Sequence, residues 1–308
     1  MPTVPPTWWI AAVAVIAVLL AVDVVAHRRD HVVSLREAAA WSGLWITVGT
    51  GFGALIWWRF GGEAAGEYYA GYLIEKALAV DNVFVFALIL TGFAVPRRYQ
   101  HRVLFFGVIG ALLMRAVLIA SGAALIDRFG WVLYLFGAFL VLTGVRMAWR
   151  RSSHGDPTAH PALRLVRRVV PSTPQFHGPR FLVRSGGRWL ATPLFTVLVL
   201  VEVTDLVFAV DSLPAIFAVT TEPFLVLTSN AFAVLGLRAL YFLLADLMHR
   251  FVHLKLGLAL VMVFVGAKML LHHVAPVPIG VSLAVIVSII AGSVLASLRA
   301  TAPAGRAS

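Results

Sequence analysis

The sequence predicts an all-α, polytopic membrane protein with about nine transmembrane helices in a single domain over residues 1–308. The chain is 60% hydrophobic and 13% charged, and its mean hydropathy of +0.91 lies outside the range of water-soluble globules. Apolar segments of about 20 residues, the length that crosses a hydrocarbon core of about 30 Å, recur along the whole chain. Basic residues lie mostly between these segments, as they do in membrane loops.

The first apolar run follows a stretch, residues 1–7, that contains no lysine or arginine. A cleaved signal peptide normally carries a basic segment at that place, so we expect Trp8–Val25 to be retained as an anchor helix. The nine predicted spans lie near residues 8–25, 39–58, 69–93, 103–125, 131–149, 190–217, 224–247, 254–271 and 277–298.

The basic loops fall on alternate sides of successive spans, and therefore all on one side of the membrane. They comprise residues 27–36, 97–102, 150–189 and 250–255 and the tail from 299. The positive-inside rule makes this side cytoplasmic. The opposite loops carry Glu63, Glu67 and Glu222 and few arginines. We therefore predict a protein of the bacterial inner membrane with its amino terminus outside and its carboxyl terminus in the cytoplasm.

The longest loop, residues 150–189, holds eight arginines, five prolines and a single acidic residue, Asp156. Such a segment cannot bury a core, so we expect a flexible cytoplasmic linker that contacts anionic lipid headgroups. Residues 163–170 are a candidate interfacial helix. Docking of a membrane protein partner is the alternative use of this loop. A nucleic-acid partner is not expected, because no aromatic and basic reading surface accompanies the net charge of +11.

Charged positions in three spans recur in the same order in the second half of the chain. The matched pairs are Asp81 with Asp211, Arg115 with Arg238, and Arg146 with Lys268, at offsets of 130, 123 and 122 residues. In the predicted topology the third span runs inward and the sixth outward, so residues 67–149 and 190–273 form an inverted repeat. Inverted repeats are typical of secondary transporters. Chance similarity between apolar segments is the alternative.

Five carboxylates lie inside the third and sixth predicted spans, and an acid at the centre of a spanning helix is disfavoured by roughly 2.5 to 3.5 kcal/mol. Such a concentration indicates a cation site at the middle of the bilayer. The predicted metal-binding residues are Glu75, Asp81, Asn82, Glu202, Asp205, Asp211 and Ser212. Two aspartates, an amide, a hydroxyl and backbone carbonyls give about six oxygen ligands, which suits Mn²⁺ or Mg²⁺ better than Ca²⁺. The other acids would be outer ligands or proton acceptors.

Helix geometry sets a condition on this site. Residues seven apart share a helix face. Residues six apart do not: Asp81 lies about 120° around the helix from Glu75, and Asp211 lies about 120° around the helix from Asp205. A local break would let the carboxylates converge. Pro214 predicts such a break, because it has no N–H for the carbonyl of Val210.

A purely structural interpretation of the acids stays open at this point. They could pair with basic residues inside the spans and hold helices together, and Arg115 and Arg238 could fill the site when no ion is bound. The chain has no cysteine, which excludes thiolate ligands and disulfides. It also lacks metalloprotease, serine-hydrolase and phosphate-loop motifs, so we predict neither an enzyme nor a permanently bound cofactor.

Two segments resemble the TerC family of integral membrane proteins, which includes Alx-type members. The first is Glu-Lys-Ala-Leu-Ala-Val-Asp-Asn-Val-Phe-Val-Phe at 75–86, and the second is Val-Glu-Val-Thr-Asp-Leu-Val-Phe-Ala-Val-Asp-Ser-Leu-Pro-Ala-Ile-Phe-Ala within 201–220. The resemblance covers roughly residues 5–300. It implies an inner-membrane protein associated with tellurium resistance and manganese export. The acidic intramembrane residues of that family correspond to Glu75, Asp81, Glu202, Asp205 and Asp211 in this sequence. A site lined by carboxylates is a poor host for the tellurite anion, so we expect resistance to act through metal balance.

The leading hypothesis is a secondary transporter that exports divalent cations, above all Mn²⁺, coupled to protons or to the membrane potential. One alternative is an accessory membrane component of a tellurium-resistance or metal-homeostasis complex. A calcium or proton pathway is a third.

Overall fold

The computed structural model describes residues 4–26, 34–149, 173, 175–185, 188–244, 253–271, 274 and 277–301. Nearly all of them are helical, and this confirms the predicted all-α class. The helices are α1 (Pro6–Ala26), α2 (Leu35–Gly92), α3 (Arg97–Arg128), α4 (Val132–Trp149), α5 (Pro193–Phe217), α6 (Pro223–Val234), α7 (Leu237–Leu244), α8 (Leu254–Leu270) and α9 (Ile279–Ala300). Strands β1 (Leu182–Ser185) and β2 (Arg188–Ala191) form an antiparallel hairpin before α5.

Among the described residues, five helices are long and apolar enough to cross a membrane: α1, α3, α4, α5 and α9. A sixth span results if the bent pair α6 and α7 counts as one. Large apolar side chains point outward from these helices. Ile10 on α1 and Leu142 on α4 are each 70% exposed, as expected for surfaces that face lipid. The count of nine spans stays a prediction.

Helix α2 is two helical arms that fold back on each other at Gly61. This glycine has φ 90° and ψ 175°, a conformation that favours a residue without Cβ. The arms, 35–60 and 62–92, lie side by side. The Tyr68 hydroxyl donates to the carbonyl of Gly49 at 2.8 Å, and the Tyr69 hydroxyl donates to that of Thr50 at 2.7 Å. The turn brings the second arm, with Glu75, into the interior.

Helices α6 and α7 are bent by 40° at a break between them. Gly236 lies at this break with φ 83°, and a Cβ there would come within 2.6 Å of the Trp45 side chain. The bend therefore depends on a residue that tolerates positive φ and leaves room for an aromatic ring. It ends α6 within the buried part of the bundle, since Val234 and Leu235 are each 2% exposed.

Helices α4 and α8 pack in close antiparallel contact at small residues. A Cβ on Gly137 would lie 3.1 Å from the carbonyl oxygen of Gly266, and a Cβ on Gly144 would lie 2.8 Å from that of Ala259. Backbone atoms meet at both points, so neither position has space for a larger side chain. The pair fixes the outer edge of α5, which contacts both helices.

The structure corrects two sequence predictions. The expected break beside Asp211 is wrong, because α5 is helical throughout Pro193–Phe217. Pro214 removes a single hydrogen bond close to the end of the helix, and bonding resumes where the Ala218 N–H donates to the Pro214 carbonyl at 3.0 Å. The end of the 150–189 loop is also not a simple linker, since it carries the β1–β2 hairpin. The candidate interfacial helix at 163–170 lies outside the described residues.

We predict that Gly144→Ala lowers the thermal unfolding temperature in detergent, at a cost of about 1–3 kcal/mol, because its Cβ would overlap the backbone of α8. Gly292→Ala is the matched control, since a Cβ on Gly292 of α9 would meet no atom within 4 Å. An equal effect of both substitutions would contradict the close α4–α8 contact.

Candidate functional site

A buried ion-pair network joins helices α2, α3, α5 and α6 around Arg115, which is 1% exposed. Its Nε and Nη2 atoms donate to the two carboxylate oxygens of Asp205, both at 3.2 Å. Its Nη1 atom donates to Glu75 and, at 3.3 Å, to the side-chain oxygen of Asn230. Glu75 and Asp205 are 0% and 1% exposed, so both carboxylates are removed from water. Two acids from different halves of the chain thus share one guanidinium.

Helix periodicity explains why α2 supplies two polar groups to this network. Glu75 and Asn82 are seven residues apart and therefore lie on the same face of the helix. The Asn82 amide nitrogen donates to Asp205 Oδ1 at 3.4 Å, while Glu75 reaches Arg115. The predicted common face of these two residues is thus observed, and it points toward α5.

Several buried polar atoms in this region have no hydrogen-bond partner among the described residues. They are the second carboxylate oxygen of Glu75, the Ser212 hydroxyl and the amide nitrogen of Asn230. Each residue is at most 2% exposed. A buried polar atom without a partner costs about 1–3 kcal/mol, so the core retains binding capacity that the protein itself does not use.

Lys76 stabilises the bent helix pair beside the network. Its ammonium group donates to the carbonyls of Ala233 at 2.9 Å and Leu235 at 3.4 Å, at the end of α6. The last carbonyls of a helix lack intrahelical partners and carry a partial negative charge, so a lysine at this point compensates both effects. The break at Gly236 is thereby anchored to the residue next to Glu75.

Two of the other predicted site residues, Glu202 and Asp211, take no part in the hydrogen bonds described for this network. Asp211 is half-buried on α5, and the charged group that acts on it is Arg146 of α4. Glu202 is half-buried between α5 and α3, against Gly110, and lies three residues before Asp205. Asp81 lies in α2, and its side chain is outside the description. Because α5 is continuous here, Asp205 and Asp211, which are six residues apart, lie on different faces of the helix, as their spacing requires.

No group of three histidine, aspartate or glutamate side chains converges to hold a metal ion within the part of the chain that the structure describes. The predicted cluster is therefore divided in this conformation. Glu75, Asn82 and Asp205 come together around Arg115, while Glu202 and Asp211 lie at the margin.

A cavity of about 590 Å³ opens at the end of the bundle that carries the acidic loops. Its polar lining residues are Glu63, Glu67, Thr220, Thr221, Glu222 and Lys268. Glu67 precedes Glu75 on α2 by eight residues, or about 12 Å of helix rise. The cavity thus approaches the buried network along α2.

Comparison with known proteins identifies the family. The sequence profile described as "Integral membrane protein TerC family" matches residues 60–304, which is most of the chain. The chain belongs to the TerC family.

Curated relatives of this TerC-family chain match over nearly their full lengths. "Uncharacterized membrane protein STKORF319" of Myxococcus xanthus is 48% identical over 294 residues, 95% of this chain and 92% of that protein. "Putative membrane-bound redox modulator Alx" of Escherichia coli (strain K12) is 46% identical over 295 residues, 92% of each chain. A Rickettsia felis protein named "Uncharacterized membrane protein" is 40% identical over 291 residues, 94% of this chain and 97% of its own. No solved structure matches significantly. The protein is therefore an integral membrane protein, as predicted.

Sequence reasoning missed Asn230. It belongs to a polar triplet, Thr228-Ser229-Asn230, inside the predicted span 224–247, and all three residues are at most 1% exposed. Consecutive polar residues in an apolar run are the signal that could have revealed this site in a TerC-family sequence.

We predict that Lys76→Met lowers the thermal unfolding temperature of the purified protein in detergent. Two carbonyls at the end of α6 would lose their charged donor, at a cost of about 1–3 kcal/mol. Lys255→Met is the control, because Lys255 is a partly exposed lysine at the start of α8. Equal stability of the two variants would show that Lys76 does not anchor the helix break.

Proposed function

We propose that this TerC-family protein is a secondary transporter that exports divalent metal cations, Mn²⁺ above all, through the buried carboxylates. The observation that carries the proposal is the Glu75 and Asp205 pair in the apolar core with a single guanidinium between them. Carboxylates inside a membrane protein are retained mainly at ion or proton pathways. Oxygen ligands of this type suit Mn²⁺ and Mg²⁺.

The charges of the core support a cation as the substrate. Glu75 and Asp205 together carry two negative charges, and Arg115 returns one positive charge to them. The Lys76 ammonium is directed at carbonyls at the end of α6, and the Glu202 carboxyl group lies three residues before Asp205 on α5. A doubly charged ion would neutralise the acids more completely than the guanidinium does, and the unpartnered oxygens of Glu75 and Ser212 would supply ligands.

Two contacts between α4 and α8 support the inverted repeat. At the offset of 122 residues, Gly137 corresponds to Ala259 and Gly144 corresponds to Gly266. Replacing each residue by its counterpart therefore turns the Gly137–Gly266 contact into the Ala259–Gly144 contact, which is also present. A two-fold relation produces such reciprocal contacts. Transporters with inverted repeats bind substrate where their halves meet, and alternate access by rocking one half against the other.

The same relation predicts a second contact at the acids, which the described hydrogen bonds do not include. At the offset of 130 residues, the Asn82–Asp205 hydrogen bond corresponds to a pairing of Ser212 with Glu75. These are two of the residues whose side chains have unpartnered oxygens. We propose Asp81, Asn82, Asp211 and Ser212 as ligands near this two-fold axis, with Glu75, Glu202 and Asp205 as outer ligands or proton acceptors. The cavity at the acidic end provides the outer opening of the path.

The orientation and coupling complete the proposal. The chain lies in the bacterial inner membrane with about nine spans, its amino terminus outside and its carboxyl terminus in the cytoplasm. The basic 150–189 loop contacts anionic lipids on the cytoplasmic side. Import of protons in exchange drives the ion outward, and the inside-negative membrane potential contributes when more than two protons enter for each divalent ion. Crowded carboxylates make exchange of a metal ion for protons favourable.

An accessory role without transport is the alternative. The Escherichia coli relative is named a putative redox modulator, and such a role in this chain could not use thiols, because it has no cysteine. An effect on redox state or on tellurium resistance would follow indirectly from the metal content of the cell. Flux into liposomes that contain only the purified protein separates the two functions, since an accessory protein moves no ion unaided.

We predict that the purified protein carries ⁵⁴Mn²⁺ across liposome membranes and that Asp211→Asn slows this flux at least about tenfold, because a charged ligand is lost. Asp211 is outside the Arg115 network, so this variant should fold normally. Asp127→Asn, an exposed aspartate near the end of α3, is the control and should match the wild type. Absence of Mn²⁺, Mg²⁺ and Ca²⁺ flux in the wild type would refute the proposal.

We also predict that Gly110→Ala slows Mn²⁺ flux severalfold with little loss of stability. Its Cβ would overlap a carboxylate oxygen of Glu202, and the flexible end of this side chain can move away. The substitution therefore displaces a site carboxylate without deleting it. Gly51→Ala, on an open helix surface, is the control. Normal flux in Gly110→Ala would remove Glu202 from the ion path.

A further inference from the structure

The guanidinium of Arg115 occupies the oxygens that a bound cation would need. It contacts both carboxylate oxygens of Asp205, one oxygen of Glu75 and the side-chain oxygen of Asn230. These groups come from three different helices and converge on one point, which is where a metal ion would gain most from the core. The ion and the guanidinium therefore compete for the same groups.

We propose that Arg115 is a tethered cation that makes the site selective for divalent over monovalent ions. This inference rests on the proposed transport of divalent cations and names the residue that sets its specificity. Arg115 carries one positive charge and is covalently held in place, so it loses no translational freedom when it occupies the site. A monovalent ion carries the same charge as the Arg115 guanidinium, so it cannot displace the guanidinium from the carboxylates. A divalent ion carries twice that charge and can displace it.

The unpartnered atoms around Arg115 distinguish it from a structural ion pair. A permanent buried network is expected to satisfy all its members, because each orphaned atom is costly. Here the second oxygen of Glu75 and the nitrogen of Asn230 have no partner in the described structure. Arg115 thus satisfies Glu75 only in part, and a rearrangement that brings in a metal ion can give the second Glu75 oxygen a partner. The amide nitrogen of Asn230 is a donor, so it would need an acceptor instead.

Glu202 gives the released guanidinium a second partner. It lies three residues before Asp205 on α5, and residues at this spacing are neighbours on a helix surface. Its carboxylate lies against Gly110, on the same helix as Arg115. A shift of one helical turn along α5 would therefore take the guanidinium from Asp205 to another carboxylate.

The repeat-related arginine is the natural comparison. Arg238 corresponds to Arg115 in the second repeat, and its Nη2 atom donates to a carboxylate oxygen of Asp23 at 2.6 Å. The side chains of Arg238 and Asp23 are 6% and 15% exposed, so this ion pair is also mostly buried. It joins α7 to α1 and does not contact the Glu75 and Asp205 carboxylates. A variant without Arg238 therefore shows the effect of losing a buried arginine that does not hold the Glu75 and Asp205 carboxylates.

The test is calorimetric titration of Mn²⁺ into the purified protein, in choline chloride and in sodium chloride at equal ionic strength. In the wild type, sodium should leave the Mn²⁺ affinity unchanged. Arg115→Gln should bind Mn²⁺ about tenfold more tightly in choline, because the competing charge is gone, and should lose that gain in sodium. Arg238→Gln should keep the sodium insensitivity of the wild type.

Arg115→Lys keeps the proposal testable if Arg115→Gln does not fold, as judged by elution profile and thermal unfolding. Lysine retains the tethered charge without the two-pronged contact, so Mn²⁺ should bind severalfold more tightly while sodium still has no effect. Unchanged or weaker Mn²⁺ affinity in the folded Arg115 variants would overturn the inference and leave the transport proposal intact. Absence of divalent binding and flux in the wild type would overturn both.

Discussion

The ion pairs of Arg115 with Glu75 and Asp205 are the constraint on which the arrangement of the core depends. An apolar interior tolerates such charges only when they are paired, and removing one partner of a buried pair costs about 3–5 kcal/mol. The second arm of α2, together with α3 and α5, must therefore stay close enough to share a guanidinium, and Asn230 adds α6 to the same group. The turn at Gly61 and the close packing of α4 on α8 can be understood as features that permit this convergence.

The network also links the static fold to a capacity for motion. It joins four helices, but it leaves polar atoms of Glu75 and Asn230 without a partner among the residues that the structure describes. Next to it, Lys76 fastens the bend at the end of α6, where the backbone is already interrupted. Discontinuous helices beside a polar site are a recurrent feature of secondary transporters. Membership in the TerC family shows that this network belongs to an integral membrane protein.

The sequence predicted the all-α membrane class and the family because hydropathy and the rare intramembrane charges are local features of the chain. It also predicted that Glu75 and Asn82 share a face, which follows from helix periodicity alone. It could not predict which acid meets Arg115, because that depends on how α2 folds back at Gly61 and crosses α5. The expected break at Pro214 was wrong since one missing hydrogen bond near a helix end is tolerated, and the real break lies at Gly236. Asn230 was missed because the prediction of intramembrane sites followed charged residues, and the polar triplet Thr228-Ser229-Asn230 carries no charge.

The central claim is that Glu75 and Asp205 belong to a divalent cation site that Arg115 fills when the ion is absent. The most direct measurement is a structure of the protein determined with Mn²⁺, in which anomalous scattering locates the metal. We predict a peak between α2 and α5, bonded to carboxylate oxygens, with the Arg115 guanidinium withdrawn from Glu75. A peak confined to the surface, with Arg115 still bonded to both acids at saturating Mn²⁺, would contradict the claim.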